Sequence, residues 1–156
     1  MSRSREAEVA VVGAGVMGLA SAWALMRRGH EVLVLEQFAV GHDRGSSHGA
    51  ARIFRLAYAE PEFVRLGERA LELWRRLEAA SGTQLLQFPG LLETGGDLDA
   101  HRRALAGCGA PFEEASARSL GPWRFEPEED VLVQPDAGVV YAERAQAAFL
   151  RYSEVI

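Results

Sequence analysis

Three glycines in the run Gly13-Ala14-Gly15-Val16-Met17-Gly18, with an acid at Glu36 eighteen residues beyond the third, form the first group whose types and spacing imply chemistry. Gly13 permits a tight turn, Gly15 removes the side chain that would hold a pyrophosphate off the backbone, and Gly18 lets a helix pack closely on a sheet. The phosphate then sits at a helix N-terminus, where unpaired N–H groups and the positive end of the helix dipole favour an anion without any basic side chain. Glu36 brings a carboxylate that accepts hydrogen bonds from a ribose diol and disfavours a 2′-phosphate, which argues against an NADP-type ligand. The second group lies in Gly45-Ser46-Ser47-His48-Gly49-Ala50-Ala51-Arg52-Ile53-Phe54-Arg55. Its small residues let the backbone approach a flat ligand, and Ser46 and Ser47 offer hydroxyls to phosphate or a polyol. Arg52 and Arg55, three apart, point the same way on a helical turn and suit a carboxylate or a developing negative charge. Taken alone, that stretch reads equally well as an ordinary glycine loop beside surface arginines.

These groups need a strand before the turn, a helix after it and a second strand ending at the acid. Val9-Ala10-Val11-Val12 and Val32-Leu33-Val34-Leu35 are the two apolar runs, and a helical pattern between them closes at Gly29. Small Ala22, four residues after Gly18, allows close helix–sheet contact. The fold class is therefore α/β, with a Rossmann-like βαβ unit. Its extended pattern resembles the FAD-binding unit of glutathione-reductase-type flavoproteins more than a plain nicotinamide-dehydrogenase fold.

Further along, Phe63, Leu66, Ala70, Leu73, Trp74 and Leu77 recur at helical spacing between Pro61 and Gly82, and predict a helix with those residues on its core face and charges opposite. Leu91–Thr94 reads as a strand, Leu98–Ala106 as a short surface helix stopped at Gly109, and Ala115–Leu120 as another short helix. Residues 121–135, acidic and proline-containing, suit an irregular connection. Gly138–Tyr141 predicts a strand and Ala142 to about Tyr152 a helix. No strand is expected after that helix, so the sheet reads as incomplete and the chain as cut short.

The chain has 156 residues, room for one core, and a net charge of −5, which argues against nucleic acid as a partner. All seventeen basic residues are arginine, which removes lysine from every catalytic role. The single Cys108 excludes an internal disulfide and a cysteine metal cluster and fits a reducing compartment. With no apolar run near the roughly 20 residues that cross a bilayer, and no signal peptide before the first strand, the expected location is the cytoplasm and no membrane partner is expected.

Together the fingerprint, Leu35-Glu36-Gln37-Phe38, the Gly45–Gly49 loop, Arg52-Ile53-Phe54-Arg55-Leu56-Ala57-Tyr58 and Leu71-Glu72-Leu73-Trp74 resemble the N-terminal part of monomeric sarcosine oxidase and N-methyltryptophan oxidase, FAD-dependent amine oxidases of the D-amino-acid-oxidase superfamily. Phe88–Leu92 and Gln134–Tyr141 are similar to family segments too. The resemblance covers nearly all of this chain and less than half of a family enzyme. It implies oxidation of a secondary or N-methylated amino acid by hydride-equivalent transfer to FAD, with reoxidation by oxygen and release of peroxide. It also implies a cofactor-binding set of Gly13, Ala14, Gly15, Val16, Met17, Gly18, Glu36, Gln37, Ser46, Ser47, His48 and Arg52. Arg55 matches an arginine that grips the substrate carboxylate, and Arg52, Arg55 and His48 form the catalytic set. His48 has two further readings, a covalent flavin link as in related dehydrogenases or a solvent-facing loop histidine. The implied domains are 1–86 and 139–156 for FAD, and 87–138 for part of a substrate domain. No metal is implied.

Low catalytic activity is expected of the chain in isolation. The alternatives are a non-catalytic FAD- or ADP-binding fragment that completes its sheet with a second copy or another chain, and an NAD-linked dehydrogenase, for which nothing after Glu36 supplies a hydride-transfer site.

Overall fold

The computed structural model describes residues 6–116 and 130–156. In chain order the elements are β1 (Val9–Val12), α1 (Val16–Met26), β2 (Val32–Leu35), β3 (Ala51–Phe54), α2 (Pro61–Ser81), β4 (Leu86–Gln87), β5 (Leu91–Thr94), α3 (Leu98–Cys108), β6 (Glu113–Ser116), β7 (Asp130–Gln134), β8 (Gly138–Tyr141), α4 (Ala142–Leu150) and β9 (Glu154–Val155). They gather into two compact units, one of the described residues within 1–51, 77–85 and 141–156, the other of those within 52–76 and 86–140.

In the first unit β1 and β2 pair in parallel, Val9 opposite Val32 and Val12 opposite Leu35. Parallel neighbours need a crossover, and α1 provides it. The helix closes where Gly29 takes φ +91°, with the Gly29 N–H on the Met26 carbonyl and the His30 N–H on that of Leu25. These are the paired bonds of a Schellman closure, in the left-handed conformation that glycine adopts without cost. Leu19, Ala22 and Trp23 of α1 and Ala145, Ala148 and Phe149 of α4 are buried, and the Trp23 and Phe149 rings meet edge to face at 5.9 Å. Each large side chain buried here contributes roughly 1.5–3 kcal/mol.

The expectation that no strand follows the last helix is corrected. α4 ends at Leu150 and β9 pairs in parallel with β2, Leu33 opposite Glu154 and Val34 opposite Val155, in the order β1-β2-β9. The Ile156 N–H donates to the Val34 carbonyl and the Glu36 N–H to that of Ile156. A two-residue strand carries no period of its own; only its ladder partner defines it.

In the second unit β4 pairs antiparallel with β8 in the sheet β3-β8-β4, and β5 and β6 flank β7 antiparallel. The short helix expected from Ala115 is corrected at 115–116, which belong to β6, and residues 117–120 lie outside the described part. The irregular connection is corrected likewise at β7, while 121–129 lie outside the described residues. Acidic Asp130 and the preceding prolines hid a strand whose Val131 and Leu132 are fully buried. α3 has Asp97 at its N-cap, accepting from the Ala100 N–H at 2.9 Å, and left-handed Gly109 at its end. It buries Leu98, Ala104 and Leu105, so it is amphipathic rather than a surface helix throughout.

α2 forms over the expected residues, but its buried stripe is Val64, Leu71 and Leu77, while Phe63, Leu66 and Leu73 are exposed. Gly67 explains the rotation: a Cβ there would stand 2.8 Å from Leu56 Cδ2, so the glycine side is where Leu56 packs. A glycine carries no hydropathy signal, so the pattern alone puts the core face beside the real one.

Candidate functional site

The turn after β1 is built as the glycine spacing requires. Gly13 has φ +99°, a region that disfavours side chains, and its N–H donates to the Leu35 carbonyl at 2.7 Å. A Cβ on Gly18 would stand 1.9 Å from the Gly13 carbonyl oxygen, so only glycine lets the first turn of α1 lie against the strand exit. Gly15 is the N-cap, with no side-chain cap from its own residue. The cap comes instead from Ser47, whose Oγ accepts the Val16 N–H at 2.9 Å. Accepting that bond leaves the hydroxyl proton of Ser47 to donate onward. The Gln146 side-chain amide of α4 donates to the Ser47 carbonyl and ties the serine loop to the same unit.

Beside this turn is a cleft of about 620 Å³ lined by Gly13, Ala14, Gly15, Glu36, Gln37, Ser46 and Ser47 of the expected set. The N–H groups of Gly15, Met17 and Gly18 precede the first i−4 bond of the helix, which Leu19 makes to Gly15. Val16, Met17 and Gly18 shape the turn without lining the cleft, and the Met17 side chain is exposed. Ala14 directs its N–H to Glu36 Oε2 at 2.8 Å, and Phe38 directs its own to Oε1 at 3.0 Å. These two N–H groups, Ala14 first, and to a smaller degree the His42 imidazole hold the Glu36 carboxyl below the ordinary carboxylate range despite its burial. Glu36 is therefore an anion whose orientation the backbone fixes.

His48 is exposed, with Nδ1 2.6 Å from the Gly45 carbonyl, and does not line the cleft. Arg52 and Arg55 belong to the second unit. The helical turn expected for them is corrected: Arg52 is in β3 and Arg55 follows it, because Ile53 and Phe54 enter a sheet. Arg55 pairs with Glu93 at 2.6 Å and lies 5.1 Å from the Tyr58 ring centroid. A carboxylate approaching Arg55 meets a guanidinium that already holds one carboxylate. Sequence reasoning missed Phe38, His42, Arg44 and Gln146 as cleft residues. An aromatic and a histidine four apart soon after Glu36 would have signalled the first two; nothing local signals Gln146, ninety-nine positions from Ser47.

A parallel βαβ unit with this glycine turn, helix N-terminus and strand-end acid is a dinucleotide-binding fold of the Rossmann type. Residues 8–154 match the family described as FAD dependent oxidoreductase (DAO), and the chain belongs to that family. The peroxisomal sarcosine oxidase of Mus musculus is 36% identical over 146 residues, 88% of this chain and 37% of that protein. The monomeric sarcosine oxidase of Bacillus sp. (strain NS-129) is 30% identical over 162 residues, 94% of this chain and 41% of that protein. The chain thus spans about two fifths of the length of these relatives. Among solved structures, the open form of NikD, an amino acid oxidase described as essential for nikkomycin biosynthesis, superposes with a TM-score of 0.82 at 28% identity, covering 98% of this chain and 43% of NikD. L-proline dehydrogenase from P. horikoshii shares the fold at a TM-score of 0.82 and 22% identity, over 97% of this chain and 44% of that one. FAD is the cofactor the family description gives, and the cleft fits it: Gly15, the N-cap of α1, lines it without a side chain, and Glu36 is a held anion on the same wall.

Proposed function

We propose that this chain is the N-terminal portion of an FAD-dependent oxidase of a secondary or N-methylated amino acid of the sarcosine type. The observation that carries the reading is one cleft lined by Gly13, Ala14 and Gly15 of the glycine turn together with Glu36, which that turn holds, in a chain whose relatives bear the name sarcosine oxidase. Bound FAD supplies a hydride acceptor for the amine carbon and a route for the electrons to oxygen, giving peroxide. The Gly13–Gly18 turn would hold the pyrophosphate where Gly15, the N-cap of α1, lines the cleft, and Ser46 and Ser47 would add hydroxyl donors. Glu36, flanked by Gln37, takes the ribose diol. His48 and Arg52 approach the flavin, and Arg55 takes the substrate carboxylate in exchange with Glu93. Residues 1–86 and 139–156 are assigned to the FAD domain and 87–138 to part of the substrate domain. A reducing cytoplasm is assigned on the single cysteine, although the mouse relative is named peroxisomal; fractionation of the host cell checks it.

The test is the visible spectrum of the purified chain with FAD, before and after acid precipitation, followed by a peroxide assay with sarcosine. Flavin that is taken up and leaves with the supernatant, together with slow peroxide formation, is the expected result. Flavin in the pellet assigns a covalent link to His48, and a chain that takes up no FAD removes the cleft as a cofactor site. Peroxide at the rate of an intact family enzyme overturns the expected low activity of the chain alone.

A second reading, a binding fragment completed by a second copy or a separate chain, has its own observation. Among the described residues β1 pairs with β2 alone, and Val12 on it is 83% exposed. Sedimentation at increasing concentration tests it: a mass above the monomer that Val12→Lys abolishes supports it, and a monomer throughout rejects self-association.

A further inference from the structure

We propose that His42 is a positioning residue for the adenosine end of the dinucleotide, acting through the Glu36 carboxylate; this rests on the reading of the cleft as the FAD site. The Arg44 backbone N–H donates to His42 Nδ1 at 3.0 Å. Nδ1 is therefore the acceptor, and the neutral ring carries its proton on Nε2. Nε2 stands 3.5 Å from Glu36 Oε1, so the proton-bearing nitrogen of the ring is the one beside the acid.

The loop is folded to deliver that group. The His42 N–H closes a turn on the Ala39 carbonyl, the imidazole meets the Phe38 ring edge to face at 4.9 Å, and the Arg44 guanidinium lies 4.5 Å from the same ring. The Phe38 N–H in turn holds Glu36 Oε1. An ionised carboxylate has about four acceptor sites. The Ala14 and Phe38 N–H groups hold one oxygen each, and the Gln37 N–H adds a smaller backbone contribution. The carboxylate lines the cleft, where its remaining acceptor capacity would meet the hydroxyls of a ribose diol, and His42 Nε2, 3.5 Å from Oε1, aligns it. Arg44 contributes its backbone N–H to this arrangement, and both Arg44 and His42 line the cleft.

The two ring nitrogens can be tested separately. His42→Asn keeps an acceptor near the Nδ1 position and loses the donor at Nε2, whereas His42→Gln keeps an amide donor near Nε2. Calorimetric titration of the full chain with ADP and with 2′-deoxy-ADP reads the effect. His42→Asn is expected to weaken ADP roughly tenfold. His42→Gln should stay within about threefold of the native chain, and the His42→Asn loss should shrink to below about twofold with 2′-deoxy-ADP, whose diol is broken. Equal losses with both ligands would assign His42 to the loop's fold alone and overturn the proposal, as would a His42→Gln variant as weak as His42→Asn. A native chain that binds neither ADP nor FAD would overturn the cleft reading itself. The histidine is then judged by ¹⁵N NMR of the free chain at neutral pH: an Nε2-protonated ring supports the positioning geometry, and an Nδ1-protonated ring rejects it.

Discussion

Gly18 and Glu36 show how single residues set this site. A methyl group on Gly18 would fall 1.9 Å from the Gly13 carbonyl oxygen, a backbone atom that no side-chain rotation can move. Gly18→Ala is expected to cost about 3 kcal/mol, at the upper end of overpacking, measured by urea denaturation, and to abolish FAD uptake together with the turn. Glu36 predicts a pH dependence. Its folded-state pKa lies below the ordinary 4.5, chiefly through the Ala14 N–H, so its contribution is fully present above the unfolded value and is lost as the pH falls through the folded one. Stability measured from pH 6 downward should therefore fall more steeply below about 4.5 in the native chain than in Glu36→Gln, and parallel curves would refute that role. The glycines and Glu36 were legible in the sequence because their spacing is itself the constraint. His42 was not, since its meaning depends on which way its loop turns.

Elements in the second unit depend on contacts that hydropathy does not encode. Gln134, at the end of β7, is 1% exposed, and its Oε1 accepts the N–H groups of Leu56 at 2.9 Å and Ala57 at 3.0 Å. Gln134→Leu keeps the volume and leaves two buried donors unmet; a loss of roughly 2–4 kcal/mol is expected by denaturation, and a loss below about 1 kcal/mol would show that water replaces the amide. α3 is held on its sheet by Arg102, 14% exposed, which pairs with Asp99, Asp130 and Glu114. Those acids, Asp130 first, push the guanidinium pKa above its ordinary value. The cap is separable from that clamp: Asp97→Ala should cost about 1 kcal/mol and lower helicity by circular dichroism.

For the whole molecule, the two units predict an uneven response to ligand. Binding to the folded state adds RT ln(1 + [L]/Kd), about 2.7 kcal/mol at a hundredfold excess over Kd. With FAD bound, amide hydrogen exchange should slow most at residues 13–18 and 34–38 of the first unit. Slowing confined to residues 52–76 and 86–140 would move the cofactor site to the other unit. The melting temperature should rise with the logarithm of FAD concentration, and a temperature independent of FAD would mean that the cleft does not hold it.

The sequence by itself determined the strand–turn–helix–strand–acid unit, because short-range sterics and helix-end electrostatics act between residues near one another in the chain. It also determined the family, through motifs of that kind. Tertiary structure alone decided that Glu154–Val155 completes a parallel ladder, that α2 seats on its Gly67 side, and that Asp130–Gln134 is a strand. The cap on α1 from Ser47 and the tie from Gln146 belong to the same class. Each depends on partners brought together by folding from distant positions, and neither composition nor periodicity records a partner that far away.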